Sequence, residues 1–240
     1  MPEFATELKR KENIAEGTMA FHFRKPDGFQ FRAGQAIDLT LIDPPETDAE
    51  GNTRAFSIAS APSDPDLVIA TRMRDSAFKR TLKAAGPNLK VKLDGPTGSL
   101  TLHKNANKSA VFLAGGIGIT PFRSIARDAA AQKLPHTIYL FYSNRRPEDT
   151  AFLGELQQLQ AANPNFHLIA TMSEMEKSQT KWDGETGFLT ADKLRKHLPS
   201  LQGPIYYIAG PPAMVAAMRQ MLVEAAVDED DIRTEDFAGY

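Results

Sequence analysis

The segment SAVFLAGGIGITPFRSIAR, residues 109–127, decides the fold of the second half of this 240-residue chain. It starts with an apolar run typical of a buried strand, passes through a glycine-rich turn and ends in a helical pattern. We expect Thr120 and Pro121 to cap and open that helix. Because glycines let a ligand approach the main chain and helix N-termini attract anions, the turn predicts a phosphate site. The alternative is an ordinary strand-to-helix turn, since the spacing is not the GxGxxG fingerprint.

Strand and helix patterns alternate through the rest of this half. The apolar strands TIYLFYS, FHLIATMS and PIYYIAG alternate with helical segments at 149–163, 189–200 and 212–227. Such alternation is typical of βαβ units and predicts a parallel sheet. In open parallel sheets, ligands bind beyond the carboxyl ends of the strands. The Gly-Pro-Pro turn at 210–212 is therefore a second candidate binding element, with a structural loop as the alternative.

The first half follows a different pattern. Five short segments rich in alternating or β-branched residues lie at 18–26, 33–43, 53–60, 66–74 and 89–96, separated by turn residues. They predict an antiparallel barrel or sandwich. One short helix interrupts them, with Ser76 as its expected N-cap and Gly86 as its expected C-cap. Because the pattern changes in the polar stretch 103–109, we predict an antiparallel β-barrel domain over 1–104 and an α/β parallel-sheet domain over 105–240.

Composition excludes several function classes. Lys and Arg total 28 against 30 for Asp and Glu, so the net charge of −2 argues against a nucleic-acid partner. No apolar run reaches the roughly 18 residues of a membrane span, and residues 1–17 are too polar for a signal peptide, so we expect a cytoplasmic protein. The absence of cysteine excludes disulfides and cysteine-ligated clusters, and the five histidines show no HExxH spacing, so no metal site is expected.

The strand RAFSIAS, residues 54–60, combines a cation, an aromatic ring and hydroxyl groups. Alternation places Arg54 and Phe56 on one face and Ser57 on the other. Without further context, the simplest reading is a strand with one exposed arginine.

In chain order, RAFSIAS, GGIGITP (115–121) and AGPPAM (209–214) resemble the RxYSxxS, GGxGxTP and CGPxxM motifs of the ferredoxin–NADP reductase superfamily. The resemblance implies a flavin-binding barrel, a nucleotide-binding α/β domain and a reductase that passes a hydride between NAD(P)H and FAD. Electrons would pass on to a separate acceptor, namely a ferredoxin, a flavodoxin or an oxygenase component. Similar reductases that carry an iron–sulfur cluster use cysteines that this sequence lacks, so a stand-alone reductase is expected.

The resemblance also implies which residues hold FAD. Arg54 would pair with the diphosphate, together with the N-terminus of the short helix. Phe56 would pack against the isoalloxazine, and Ser57 would hydrogen-bond near flavin N5 and orient the nicotinamide. The full set of implied flavin contacts is Arg54, Ala55, Phe56, Ser57, Ile69, Thr71, Ser76, Ala77 and Phe78.

A second implied set would hold the pyridine nucleotide. Its members are Gly116, Thr120, Ser143, Arg145, Arg146, Gly210, Pro211 and Met214. Arg145 and Arg146 offer guanidinium groups suited to a 2′-phosphate, which favours NADPH, with NADH possible. The alternative is that they are two solvated arginines on a loop.

The C-terminus and one substitution complete the comparison of motifs. Ala209 stands where the superfamily usually has cysteine beside the nicotinamide. Glu235 and Phe237 fit the ExF ending of bacterial members, while Tyr240 is a terminal aromatic of the kind that stacks on the flavin. The catalytic candidates are Ser57, Glu235 and Tyr240, and Phe237 or Tyr240 would cover the isoalloxazine.

Two other functions remain open at this point. The same fold could serve a free-flavin or ferric-chelate reductase without a protein partner. The chain could also be a non-catalytic nucleotide-binding regulatory module, which the loss of cysteine at Ala209 favours and the retention of Arg54 and Ser57 disfavours. Basic residues near the expected flavin edge would attract an acidic ferredoxin, or simply solvate a helix. These basic residues are Arg72, Arg74, Lys79, Arg80 and Lys83.

Overall fold

Two six-stranded sheets form the framework of the computed structural model, which describes residues 3–237. All strand pairs of the first sheet are antiparallel, and all those of the second are parallel. The predicted fold class, a barrel-like antiparallel domain followed by a parallel α/β domain, is confirmed.

The antiparallel sheet curls around an apolar core and nearly closes. Its strands are β1 (Glu3–Ala15), β2 (Thr18–Arg24), β3 (Ala36–Leu41), β4 (Thr53–Ser57), β5 (Asp66–Arg72) and β6 (Lys90–Thr97), in the spatial order β4-β3-β6-β1-β2-β5. The edges meet just beyond β4, where the N–H of Ala59 donates to the carbonyl of Val68 at 2.8 Å. Ser60 Oγ accepts from the N–H of Val68 at 3.0 Å. These hydrogen bonds satisfy main-chain groups at the sheet edge that would otherwise be free to pair with another strand.

One strand in this half was not predicted, and one expected helix cap was wrong. The polar stretch at the N-terminus was not predicted as a strand, yet it forms β1, the longest strand of the sheet. Many of its charged residues face solvent, so the apolar alternation that marks a strand is weak there. Helix α1 spans Ala77–Ala84 with Ser76 as its N-cap, as expected, but its C-cap is Ala85 rather than Gly86.

The parallel sheet carries helices on both faces. Its strands are β7 (Ala110–Gly115), β8 (Ile138–Asn144), β9 (Phe166–Met172), β10 (Glu185–Thr186), β11 (Ile205–Gly210) and β12 (Ile232–Asp236), in the order β10-β9-β8-β7-β11-β12. The helices are α2 (Ile119–Ala131), α3 (Leu153–Ala162), α4 (Ala191–His197) and α5 (Pro212–Glu224). Helices α2 and α3 pack on one face, and α4 and α5 pack on the other. The two edge strands, β10 and β12, were not predicted.

The start of α2 also differs from the expectation. The helix begins at Ile119 after a 3₁₀ turn over Gly116–Gly118, and its N-cap residue Gly118 offers no side-chain hydrogen bond. Thr120 lies inside the first turn, where its hydroxyl donates to the carbonyl of Ile117 at 3.1 Å. Its predicted role as a cap was therefore wrong. Among residues 3–237, no helix is both long and apolar enough to cross a bilayer.

Helix α2 also fastens the two domains together. The buried guanidinium of Arg123 donates to the carbonyl of Ala59 at 2.6 Å and to Glu155 at 2.8 Å. The buried hydroxyl of Ser124 donates to the carbonyl of Ser60 at 2.6 Å. Since Ala59 and Ser60 directly follow β4, these bonds set the position of the RAFSIAS strand relative to the glycine turn before α2.

Candidate functional site

The candidate site is built around a polar contact between the two domains. Ser57 ends β4, and its hydroxyl donates to Glu235 Oε1 at 3.2 Å. Glu235 lies on β12, opposite Ala209 of β11. Burial raises the pKa of the Glu235 carboxyl, and the hydrogen bond from Ser57 offsets part of that rise. The structure thus brings together two of the three predicted catalytic residues, which lie 178 positions apart in the chain.

An aromatic and cationic face lies on the opposite side of β4. The ring of Phe56 lies 5.8 Å from that of buried Phe78, at the start of α1. The guanidinium of Arg54 lies 5.3 Å from the centroid of the same ring. Arg54 and Phe56 therefore share a face while Ser57 points the other way, as the alternation predicted.

The N-terminus of α1 binds a carboxylate from the same chain. Asp48 Oδ2 accepts from the N–H of Ala77 at 3.0 Å, and its Oδ1 accepts from Arg54 at 3.1 Å and from the N–H of Glu50 at 3.1 Å. Desolvation alone would raise the pKa of Asp48, but these three hydrogen bonds lower it overall. Ser76 caps the helix by accepting from the N–H of Lys79. The arrangement binds an anion at the place where the sequence predicted the FAD diphosphate.

The two glycine turns of the parallel sheet meet at its carboxyl edge. A Cβ on Gly118 would lie 2.2 Å from the carbonyl oxygen of Ala209, and one on Gly115 would lie 2.2 Å from the sulfur of Met214. Gly210 has φ of +156°, a conformation that favours glycine, and a Cβ there would lie 3.1 Å from Gly115. Close main-chain approach requires glycine at 118 and 210, whether or not a phosphate also binds at this edge, whereas at 115 the close neighbours are the side chains of Met214 and Pro211.

Other members of the predicted nucleotide set lie around the same edge. Ser143 is the penultimate residue of β8 and lies beside Gly115 in the sheet register. The hydroxyl of buried Tyr142 donates to the carbonyl of Gly116 at 3.0 Å, which supports the turn from below. Thr120 is buried, and Pro211 packs over Gly115. The predicted nucleotide residues therefore come together at one edge of the sheet.

The two arginines after β8 have different surroundings. Arg146 donates to both oxygens of the buried carboxylate of Asp149, at 3.0 and 3.1 Å, and to Glu16 of the barrel at 2.8 Å. Arg145 is about half exposed and contacts Asp149 at 3.4 Å. The expectation that Arg146 binds a 2′-phosphate conflicts with this geometry, because its guanidinium already joins the two domains. Arg145 fits that role better.

The remaining predicted flavin contacts have mixed surroundings. Ala55 is exposed on β4, whereas Thr71 is buried on β5. The side chain of Ile69 is fully buried within the barrel core, so any contact with a cofactor would come from its main chain. The N–H of Phe237 donates to the carbonyl of Gly210 at 3.0 Å, which ties the end of β12 to the glycine turn. Tyr240 lies outside the described residues.

Sequence reasoning missed two important residues. Asp48 lies in a segment that was treated only as a turn, although three carboxylates at 46, 48 and 50 shortly before Arg54 were a visible signal. Arg123 looked like an ordinary helix residue, and nothing in the local pattern marks it as buried.

The basic residues considered for attracting an acidic partner are partly neutralised within the chain. Arg80 pairs with Glu46 at 2.6 Å and also with Asp75. Arg72 lies 3.5 Å from Asp149. The predicted basic surface is thus less positive than its lysine and arginine content suggests.

Taken together, the donors present suit a flavin dinucleotide. An aromatic face, a guanidinium and a helix N-terminus lie on one side of β4, and a hydroxyl paired with a buried carboxyl lies on the other. These groups match an apolar ring system that carries polar edge atoms and a diphosphate.

Comparison with known proteins agrees with this arrangement. The model of the oxidoreductase NAD-binding domain family matches residues 112–220. One component of the Na(+)-translocating NADH-quinone reductase of Methylococcus capsulatus is 33% identical over 202 residues, which are 78% of this chain and 49% of that protein. The phenol hydroxylase P5 protein of Acinetobacter pittii is 30% identical over 213 residues, or 87% of this chain and 58% of that protein. The chain spans about half the length of these curated relatives.

A solved structure covers both domains. It is a ferredoxin NADP+ reductase from Neisseria gonorrhoeae with bound FAD and NADP, with a TM-score of 0.81, 20% identity and coverage of 98% of each chain. This likeness shows that the order and packing of the two sheets are shared. Residues 112–220 therefore match the oxidoreductase NAD-binding domain family, and the whole chain shares its two-domain fold with this reductase.

Proposed function

We propose that the chain is an FAD-dependent reductase that passes a hydride between NAD(P)H and FAD and sends electrons on to a separate protein. The contact between Ser57 and Glu235 at 3.2 Å carries this proposal, because it joins the predicted flavin strand to the predicted nucleotide domain. The acceptor we favour is a ferredoxin, a flavodoxin or an oxygenase component. The similarity to a phenol hydroxylase component and to a quinone reductase component supports electron transfer between proteins.

The barrel would hold FAD through three kinds of group. Phe56 offers an aromatic face next to Phe78, while Arg54 and the N–H of Ala77 offer positive partners for the diphosphate. When bound, FAD supplies the conversion between two-electron and one-electron transfer that no side chain of this chain can perform.

Ser57 and Glu235 would place a hydroxyl group and a carboxyl that can hold a proton beside the flavin. The Ser57 hydroxyl would turn from Glu235 Oε1 toward a cofactor atom. Because burial raises the pKa of Glu235, its carboxyl can hold a proton at a higher pH than an exposed glutamate can. Ala209, opposite Glu235 in the register, leaves this cleft without a thiol.

The glycine turns would hold the nucleotide at the carboxyl edge of the parallel sheet. Their close approach keeps the main chain of Gly115 and Gly210 together at the strand ends, where diphosphates bind in open α/β folds. At the end of β8, the half-exposed guanidinium of Arg145 would bind a 2′-phosphate, so we favour NADPH over NADH.

Two measurements test the proposal. The purified protein should show flavin bands and bleach on anaerobic titration with NADPH more readily than with NADH. A colourless protein that takes up no FAD would overturn the reductase proposal.

Arg145→Gln should weaken NADPH binding by about tenfold and leave NADH binding unchanged, since one charged hydrogen bond is worth roughly that factor. Arg195→Gln, on the exposed face of α4, is the matched control.

The nature of the acceptor is tested separately. Reduction of an acidic ferredoxin should slow as ionic strength rises, because attraction between unlike charges is screened by salt. A free-flavin or ferric-chelate reductase is the alternative, and the neutralised state of Arg72 and Arg80 favours it. Faster turnover with free flavin or a ferric chelate than with any electron-transfer protein would support that alternative.

A further inference from the structure

An acidic loop lies over the predicted diphosphate end of the flavin site. The loop comprises residues 42–52, between β3 and β4, and its base is closed by the N–H of Leu41, which donates to the carbonyl of Asn52 at 2.9 Å. Three of its carboxylates reach basic partners. Glu46 pairs with Arg80 at 2.6 Å, Asp48 pairs with Arg54 at 3.1 Å, and Glu50 pairs with Arg54 at 2.9 Å.

Asp48 differs from the other two carboxylates in what it binds. It accepts from the N–H of Ala77, in the first turn of α1, as well as from Arg54. Its side chain is 31% exposed, whereas that of Glu50 is 76% exposed. Asp48 therefore places a negative charge between the guanidinium and the helix N-terminus, which are the two groups best suited to an anionic ligand.

We propose that Asp48 competes with the FAD diphosphate for Arg54 and the N-terminus of α1, and so limits the affinity of this chain for FAD. This inference rests on the proposed function. The single N–H of Ala77 cannot donate a full hydrogen bond to both anions, and a diphosphate brought to it would be repelled by the adjacent carboxylate of Asp48. Binding of FAD must therefore exchange one anion for the other.

The exchange makes Asp48 a determinant of specificity among flavins. Riboflavin lacks a phosphate, so it can contact the aromatic face near Phe56 without displacing the carboxylate. FAD gains the contact to the N–H of Ala77 only after Asp48 has left it, while Arg54 keeps its second carboxylate partner, Glu50. Removing the charge of Asp48 should thus help FAD and leave riboflavin unaffected.

Direct binding measurements on the flavin-free full chain test this inference. FAD and riboflavin are titrated separately, and binding is followed by quenching of flavin fluorescence. We expect Asp48→Asn to bind FAD about tenfold more tightly than the wild type, since one competing charged hydrogen bond is worth roughly that factor. Riboflavin affinity should stay the same. Asp48→Ser, which keeps an uncharged acceptor for Ala77, should follow Asp48→Asn and serves if the first variant folds poorly.

Glu46→Gln is the matched control. It removes the same charge from the same loop, but its partner is Arg80 rather than Arg54, so FAD affinity should change by less than about twofold. FAD affinity that is unchanged or weaker in both Asp48 variants would overturn the inference while leaving the reductase proposal intact. An equal gain in Glu46→Gln would show that only the overall loop charge acts, which also overturns the role of Asp48. If neither the wild type nor a variant binds FAD, the proposed function itself fails and the inference fails with it.

A second readout is thermal stability. Asp48→Asn should melt below the wild type without flavin, because it loses the charged contacts to Arg54 and Ala77. The rise in melting temperature on adding FAD should then be larger for Asp48→Asn than for the wild type. An equal rise in both proteins would contradict the exchange of anions.

Discussion

Replacing Gly118 with alanine is expected to force apart the two strand ends at which the nucleotide site is proposed. The new Cβ would lie 2.2 Å from the carbonyl oxygen of Ala209 and 2.7 Å from the Cα of Gly210. The first distance is 0.8 Å inside the 3.0 Å below which real Cβ contacts are essentially never found. Both neighbours are main-chain atoms, so no side chain can rotate out of the way. Gly118 has an ordinary helical φ of −59°, so the effect is steric alone.

Overpacking of this kind costs about 1–3 kcal/mol, and the backbone on both sides places this substitution at the upper end. For a chain of this size, about 3 kcal/mol corresponds to a fall in melting temperature of roughly 6–12 °C. Ala209 pairs with Glu235 in the sheet, so the shift should also disturb the Ser57 contact and slow NAD(P)H oxidation.

Calorimetry and an NADPH oxidation assay on the same preparations check this expectation. Gly154→Ala is the matched control, because a Cβ on this helical glycine would meet nothing within 4 Å. It should raise stability by about 0.5–1 kcal/mol through the lower flexibility of the unfolded chain. A Gly118→Ala protein that melts within about 1 °C of the wild type would refute the close approach of the two turns.

Three further predictions concern the contacts between the domains. Burial raises the pKa of the Glu235 carboxyl above its ordinary 4.5, so the wild type loses stability as this group ionises in the folded protein. The melting temperature of Glu235→Gln relative to that of the wild type should therefore rise as the pH increases from about 4 to about 8. A difference in melting temperature that is independent of pH would contradict this. Ser57→Ala should raise the pKa of Glu235 further, as followed by carbon NMR of the carboxyl, and an unchanged titration would count against the hydrogen bond. Arg123→Ala should lower the free energy of unfolding, measured by chemical denaturation, by about 2–3 kcal/mol, because it removes the buried guanidinium that binds the carbonyl of Ala59 and pairs with Glu155. Arg195→Ala, at an exposed position, should change it by less than about 0.5 kcal/mol. Equal losses in the two variants would disprove this.

Much of the fold could be predicted because its strongest patterns are local. The apolar run before Gly115 and the alternation around Arg54 and Phe56 appear in the structure as expected. β1 and β12 were missed because β1 is half-exposed and β12 lies at an edge, so their charged residues hide the usual period. Such strands form because a neighbouring strand supplies main-chain hydrogen-bond partners, and the sequence of the strand itself does not show that neighbour.

The candidate site was only partly predictable for a similar reason. The residue types at Ser57, Arg54 and the glycine turn could be chosen from motifs. The neutralisation of Arg146 could not, because Glu16 and Asp149 reach it from different elements. Whether an arginine is available to a ligand depends on which carboxylates fold against it.

By itself, the sequence determined the order of the two domains and the strand–turn–helix at 109–127, and it suggested the residues proposed to contact a flavin and a nucleotide. The first two follow from side-chain periodicity and turn chemistry, which act over a few residues, and the proposed cofactor contacts follow from the resemblance of the motifs. Only the tertiary structure decided that Ser57 meets Glu235, that Arg123 fastens α2 to the barrel, and that Asp48 takes the N-terminus of α1. Each of these contacts joins segments that are distant in the chain, and their distances are set by how the two sheets and their connecting loops pack.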